Sequence, residues 1–252
     1  MFLSESKLFS YDEIDSTNNE AQRLLESIES FPFWVVANKQ TSGRGRKNRY
    51  WESLEGNFMG TFVIKINIEK SLTPQISFVT SVALRNTVNS FNKKINNNDI
   101  KLKWPNDLII NDAKCAGILI ESLRSEEKGN EILAIGIGVN LINSPSNTSY
   151  KASNLLQEMK LNINKDDFLE KLNKNLIENL NLWEKGKNFK KILKEWRKVA
   201  YKMNENISII LPDGKKLKGT FTGLDDQGGL ILSQNNKETV FYAAEIYDRL
   251  IS

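Results

Sequence analysis

No histidine occurs anywhere in the 252 residues. That absence excludes Ser-His-Asp and Cys-His catalysis, histidine-ligated zinc and any imidazole base. Chemistry here has to rest on lysine, arginine, carboxylates, backbone amides or a bound metal. There is one cysteine, Cys115, so no intrachain disulfide can form and the chain suits a reducing cytoplasm. No apolar run approaches the ~18 residues of a membrane helix, so no membrane partner is expected. The start, Met-Phe-Leu-Ser-Glu-Ser-Lys, lacks the basic and apolar regions of a secretory signal. The excess of positive over negative charge is small too: the net charge of +4 fits an anionic small ligand but gives no warrant for nucleic acid. What remains, 40% hydrophobic and 26% charged residues, is ordinary globular material for one large domain and a small one.

The most informative stretch is Gln-Thr-Ser-Gly-Arg-Gly-Arg-Lys-Asn-Arg-Tyr-Trp, from Gln40 to Trp51. It follows an almost continuous apolar run, Phe33 to Ala37, which predicts a strand over 33–39 buried on both faces. Gly43 and Gly45 let backbone N–H groups approach a ligand, and Arg44, Arg46, Lys47 and Arg49 supply cations. Interleaved in one loop, they describe a flexible clamp for an anion that takes its shape when the ligand binds.

Further along, Thr17-Asn-Asn-Glu20 predicts a capping box at the start of an amphipathic helix that ends before Pro32. Strand character covers 57–67, and a helix begins at Thr73-Pro74 and runs to about Lys94, before the turn Asn96-Asn-Asn-Asp99. Within 100–110, Lys103-Trp-Pro-Asn-Asp-Leu108 sits in strand-like sequence that Pro105 must interrupt or bend, holding Asn106 and Asp107 at a fixed place. A turn at Asn111-Asp112 leads to the strand Lys114-Cys-Ala-Gly-Ile-Leu-Ile-Glu121, and another strand spans 131–141. The latter contains Gly136-Ile-Gly-Val-Asn140, whose glycines leave one face open for a flat ligand or a close backbone. It is not the dinucleotide fingerprint, which needs a third glycine and a following helix. Helices over 166–183 and 189–203 read as structural cover. From about residue 205 short strands alternate with Pro-Asp-Gly and Asp-Asp-Gln-Gly-Gly turns, the pattern of a small barrel.

Ser16-Thr-Asn18, Gln40 to Arg46, Lys103 to Leu108, Lys114 to Glu121 and Gly136 to Asn140 stand in one order. Together they resemble the biotin protein ligase family over nearly the whole chain. The resemblance implies an α+β fold: a mixed sheet flanked by helices, like that of class II aminoacyl-tRNA synthetases, over 1–204, with an SH3-like β-barrel over 205–252. It implies formation of biotinyl-5′-AMP from biotin and ATP, then transfer of biotin to a lysine of a biotin carboxyl carrier domain. By the same resemblance Ser16, Thr17, Asn18 and Gln40 read biotin's ureido ring, and Gly117, Gly136 and Gly138 make room for it. Arg44, Gly45 and Arg46 close over biotin and the adenylate, with Arg46 and Lys114 as catalytic groups. Arg49, Trp51, Lys103, Trp104, Asn106, Asp107 and Asn140 belong to the nucleotide side, and Asp107 is the residue assigned to Mg²⁺.

One departure is plain. The family loop reads Gly-Arg-Gly-Arg-Arg-Gly-Arg, whereas this chain has Lys47-Asn48-Arg49 in its second half. Asparagine replaces glycine, with less freedom at positive φ. Ser16-Thr17 also comes too early to leave room for the helix-turn-helix segment of repressor relatives, so no DNA partner is expected, and a homodimer through sheet edges is left open. Lipoate or octanoate protein ligase is the alternative enzyme, but its Arg-Arg-x-x-Gly-Gly-Gly loop and histidine are missing. A noncatalytic biotin sensor is the alternative of another class. Deleting the barrel is expected to disturb ATP use or carrier recognition more than the catalytic fold.

Overall fold

The computed structural model describes residues 6–92, 99–126 and 129–247. The expected helix end at Lys94 and the turn residues 96–98 lie outside the described residues. A seven-stranded mixed sheet forms the body, in the order β1-β2-β3-β7-β6-β5-β4. Its strands are β1 (Lys7–Ile14), β2 (Phe33–Gln40), β3 (Phe58–Asn67), β4 (Ile100–Lys103), β5 (Asp107–Ile110), β6 (Ala113–Glu126) and β7 (Asn130–Val139). Only β1 and β2 pair in parallel; every other neighbour is antiparallel.

Alternation along β2 divides the core. Trp34 packs with Phe62, Ile64, Leu133 and Ile135 in the large cluster, while Phe33 and Val35 pack with Ala21, Leu25, Val63 and Ile132 in a smaller one. Helices α2 (Gln75–Phe91), α4 (Lys165–Trp183) and α5 (Phe189–Lys198) bury their apolar sides in the first cluster; α1 (Thr17–Leu24) covers the second. Thr61, Gly117, Glu121, Gly136 and Gly138 share the α1 face by the two-residue period, in register across β3, β7 and β6.

Several expectations change in detail. Over 100–110 the expected interruption at Trp104-Pro105 takes the form of a hairpin: β4 and β5 pair antiparallel, Lys103 opposite Asp107, through a turn that includes the cis Trp104–Pro105 peptide. The helix predicted to run toward Pro32 stops at Leu24. Its capping box does not form. Ser16 is the N-cap and makes no side-chain capping bond, the Thr17 hydroxyl bonds Gln40, and Glu20 instead accepts from Tyr11 and Arg23. The polar partners across the sheet outcompete the local cap. Strand β1, helix α3 (Leu155–Met159) and strand β12 (Glu245–Tyr247) are additional to the sequence reading.

The small barrel is a five-stranded antiparallel sheet, β11-β10-β9-β8-β12, whose other members are β8 (Asn206–Ile210), β9 (Lys216–Leu224), β10 (Leu230–Gln234) and β11 (Lys237–Phe241). Its buried residues Phe221, Leu224, Leu230 and Leu232 belong to the same apolar cluster as α2 and α5. The Trp104 indole N–H donates to the Gly228 carbonyl at 3.0 Å, and Phe78 lies so close to Gly228 that a Cβ there would meet its ring at 2.7 Å. The two sheets therefore share one core.

Candidate active site

On the α1 face of the sheet, roofed by loop 43–51 and bounded by β12, lies a cavity of about 230 Å³. Every residue that the sequence reading assigned to a ligand lines it except Asn140. Asn140 is buried and spent on structure: its amide donates to the Ser153 carbonyl at 3.0 Å, and its backbone joins Cys115 and Leu155.

The floor is a chain of polar groups with assigned directions. Gln40 Oε1 accepts from the Thr17 amide at 2.8 Å and the Thr17 hydroxyl at 3.1 Å. With its oxygen committed, Gln40 keeps its amino group as a donor. Asn18 donates to Glu121 Oε2 at 2.6 Å, and the Thr61 hydroxyl lies 2.5 Å from Asn18 Oδ1 and 2.8 Å from Thr17 Oγ1, close enough to donate to either. One Asn18 N–H is left over. The floor thus offers N–H donors to an uncharged acceptor, set in a concave and partly apolar site.

The glycines are used differently from the expectation of open space. A Cβ at Gly138 would lie 2.5 Å from the Trp51 indole, one at Gly117 3.3 Å from the same ring, and one at Gly136 2.6 Å from Asn18 Oδ1. Side chains from α1 and the loop occupy that face, so the glycines seat Trp51 and Asn18 against the sheet.

The loop carries its own backbone bonds, Gly45 N–H to Arg49 O at 2.7 Å and Trp51 N–H to Gly43 O at 2.9 Å. Lys47 and Asn48 both adopt left-handed φ, 58° and 55°, which asparagine tolerates better than other side chains do. Carboxylates outside the loop hold most of its cations. Arg44 donates to Glu121 Oε2 at 3.0 Å and to Asn19 Oδ1 at 2.7 Å; Lys47 and Arg49 both pair with Glu245 of β12, Lys47 at 3.7 Å. Arg46 has no carboxylate partner among the described residues, and burial pulls its pKa below the ordinary arginine value.

On the opposite wall, Lys114 Nζ lies 2.7 Å from Asp107 Oδ1. This is an ion contact rather than an aligned hydrogen bond, because that buried oxygen has no hydrogen-bond partner. The ammonium also stands 5.7 Å from the Trp51 ring centroid and 5.3 Å from that of Tyr150. Asn106 spends an N–H on the Ile118 carbonyl at 2.6 Å, which ties the β4–β5 turn to β6. Cys115, next to Lys114, is fully buried and its thiol is pushed well above the ordinary range, so it is inert packing. No group of three acidic or other metal-ligating side chains exists among the described residues. Asp107, whose Oδ1 is in ion contact with Lys114, is a single carboxylate of the kind Mg²⁺ takes from a protein when phosphates and water complete its shell.

Sequence reasoning gave no role to Thr61, Glu121, Tyr150 or Glu245. Thr61 was visible as a polar residue in an apolar strand, and Glu121 shares the two-residue period of Gly117. Glu245 carried no local signal, because its partners lie about two hundred positions away.

Comparison with known proteins places these features in a group. The model of the biotin/lipoate A/B protein ligase family matches residues 11–140, and that of the biotin protein ligase C-terminal domain matches 202–247. A biotin–[acetyl-CoA-carboxylase] ligase of Paracoccus denitrificans is 32% identical over 241 residues, covering 92% of this chain and 97% of its own. The bifunctional ligase/repressor BirA of Bacillus subtilis is 29% identical, over 95% of this chain and 73% of its own. The biotin protein ligase of Aquifex aeolicus, solved in complex with biotin and ATP, superposes with a TM-score of 0.81 at 26% identity, covering 97% of this chain and 100% of that one.

Proposed function

We infer the chemistry of the cavity from the premise that this chain belongs to the biotin/lipoate A/B protein ligase family. It is an ATP-dependent biotin ligase. A carboxylate oxygen of biotin attacks the α-phosphorus of ATP, pyrophosphate leaves, and biotinyl-5′-AMP remains. The amine of a lysine on a biotin carboxyl carrier domain, such as that of acetyl-CoA carboxylase, then attacks the acyl carbon; an amide forms and AMP departs.

The observation that carries this reading is the pairing of two cations across one cavity: Lys114 fixed beside Asp107, and Arg46 left without a carboxylate partner among the described residues. Both steps build negative charge on oxygens near phosphate, and fixed cations stabilise it without histidine. Lys114 acts electrostatically at the carboxylate and α-phosphate, and Arg46 holds the anionic end of biotin and the adenylate. The donors of Asn18 and Gln40, with the Ser16 hydroxyl, suit the ureido carbonyl, while the Thr17 hydroxyl is committed to Gln40 and fixes the direction of its amide. Trp51 separates the biotin side from the nucleotide side, where Arg49, Lys103, Trp104, Asn106 and Asp107 stand; Arg44 and Asn140 serve as struts. Mg²⁺ would be held by Asp107 together with the ATP phosphates, and when bound it neutralises charge on those phosphates. The catalytic body is taken to end at 204 and the barrel to begin at 205, with a buried core common to both.

The partners proposed are biotin, ATP and the carrier domain. DNA is not among them, since a net charge of +4 gives little electrostatic drive toward a polyanion. A homodimer would form along an outer strand, β1 or β4, and sedimentation at rising concentration decides whether it does. No described helix is long and apolar enough to cross a membrane, and use of ATP suits a cytoplasmic enzyme. The deciding experiment is pyrophosphate release with ATP, Mg²⁺ and one acid at a time. Release with biotin, followed by label transfer to a carrier lysine, is expected. Release with lipoate or octanoate instead would move the chain to the sister activity. Silence with every acid despite biotin binding would make it a sensor.

A further inference from the structure

We propose that Glu121 is a positioning residue for biotin, one carboxylate that locks together the two segments reading the ligand. The proposal rests on the ligase reading above and extends it to a residue outside the cavity wall. Strand alternation brings Glu121 to the face of Gly117 and Leu119, beyond the lining itself. There its Oε2 accepts from Asn18 Nδ2 at 2.6 Å and from Arg44 Nη2 at 3.0 Å. The other Arg44 nitrogen donates to Asn19 Oδ1 at 2.7 Å, so α1, the loop and β6 meet at one charged group. The charge-assisted bonds are of the strong kind, although the Arg44 and Glu121 side chains keep 27% and 33% of their surface in solvent.

Two consequences follow for the ligand. With Nδ2 anchored on Glu121 and Oδ1 beside the Thr61 hydroxyl, the Asn18 amide cannot flip, and its remaining N–H has one direction. Second, Arg44 is withdrawn from competition. Three of the four loop cations, Arg44, Lys47 and Arg49, have a carboxylate outside the loop, and Arg46 has none among the described residues. Glu121 thereby sets the polarity of the site, a neutral acceptor at Asn18 and the anionic end at Arg46. Without it, the Arg44 guanidinium becomes a second anion ligand at the wrong end of the cavity.

The test is biotin binding by calorimetry on the full chain, with pyrophosphate release at saturating biotin and a thermal melt run alongside. Glu121→Ala is expected to weaken biotin binding about tenfold, and the isosteric Glu121→Gln, which keeps an acceptor for Asn18, about threefold. The turnover at saturating biotin and the melting temperature stay near wild type, because Lys114 and the core are untouched. Glu121→Ala combined with Asn18→Ala is expected to lose clearly less than the sum of the two single losses, since the Asn18 contact is shared by both while the release of Arg44 belongs to Glu121 alone. Unchanged binding in both Glu121 variants would overturn the proposal, as would strictly additive losses or a fall in turnover and melting temperature with binding unaltered. If Glu121→Ala does not fold, the Gln variant decides. Wild-type protein that binds biotin but releases no pyrophosphate would sink the ligase reading while the binding series still judges Glu121. Wild-type protein that binds no biotin sinks both.

Discussion

The Lys114 ammonium has a carboxylate 2.7 Å away and aromatic rings within 6 Å, so its charge is held in one place at the cavity wall. A cation fixed before the reaction needs no reorganisation when charge develops on the phosphate oxygens. Replacing Lys114 by alanine should therefore slow pyrophosphate release about 10²- to 10³-fold while biotin affinity stays within about threefold. A rate that is barely changed, measured by stopped-flow release, would remove the residue from the chemistry. Most of this residue-level picture was legible in the sequence, since Lys114, Arg46 and Gln40 sit in short ordered motifs. What the motifs could not show was partnership. Arg44 and Arg46 look equivalent in the string, and only the fold reveals that Glu121 has claimed one of them. Asn140 has the opposite history: it ends a glycine-bearing motif, yet its amide belongs to Ser153.

Among the elements, loop 43–51 takes its shape partly from local backbone geometry. Lys47 and Asn48 stand consecutively at positive φ, where a residue with a Cβ and no local polar compensation costs roughly 1–2 kcal/mol. Asn48→Gly should leave ATP and biotin constants near wild type, whereas Asn48→Val should loosen the roof and raise KM for ATP severalfold. Equal constants for Gly and Val would mean that the loop's shape is not used. The strands of the sheet were readable because apolar runs and alternation are local signals. Strand β1 was missed because most of its residues are exposed or half-exposed, including Leu8 at the sheet edge, and its partner β2 supplies the reason to be a strand. The capping box failed for a related reason: Thr17 and Glu20 match the pattern, but Gln40, Tyr11 and Arg23 offer better partners in three dimensions.

For the molecule as a whole, the common core changes what removal of the barrel should do. Phe78 and Trp196 meet edge-to-face with ring centroids 5.5 Å apart, in the cluster shared with the small sheet, and the Arg197 guanidinium donates to the Leu224 and Asp225 carbonyls. Ending the chain before Asn206 would uncover this apolar surface. The shortened protein should bind a hydrophobic dye and lose cooperative melting, rather than lose only ATP use. A well-folded truncation with a sharp melt would show that the core divides more cleanly than the packing suggests. Glu245→Gln isolates the other connection between the sheets. The two cations are exposed although Glu245 is half-buried, and ion pairs with exposed partners contribute little stability, so melting should hardly move, while freeing Lys47 and Arg49 should raise KM for ATP. An unmoved KM would assign the pairs to the surface alone. Trp51 adds an optical consequence. Of the five tryptophans, Trp34, Trp104, Trp183 and Trp196 are buried, and only Trp51 combines partial exposure with a place against the glycine face. Intrinsic fluorescence of the unlabelled protein should therefore shift in colour and intensity as each substrate arrives, with Trp51→Phe silencing the change, so the cavity carries its own spectroscopic reporter.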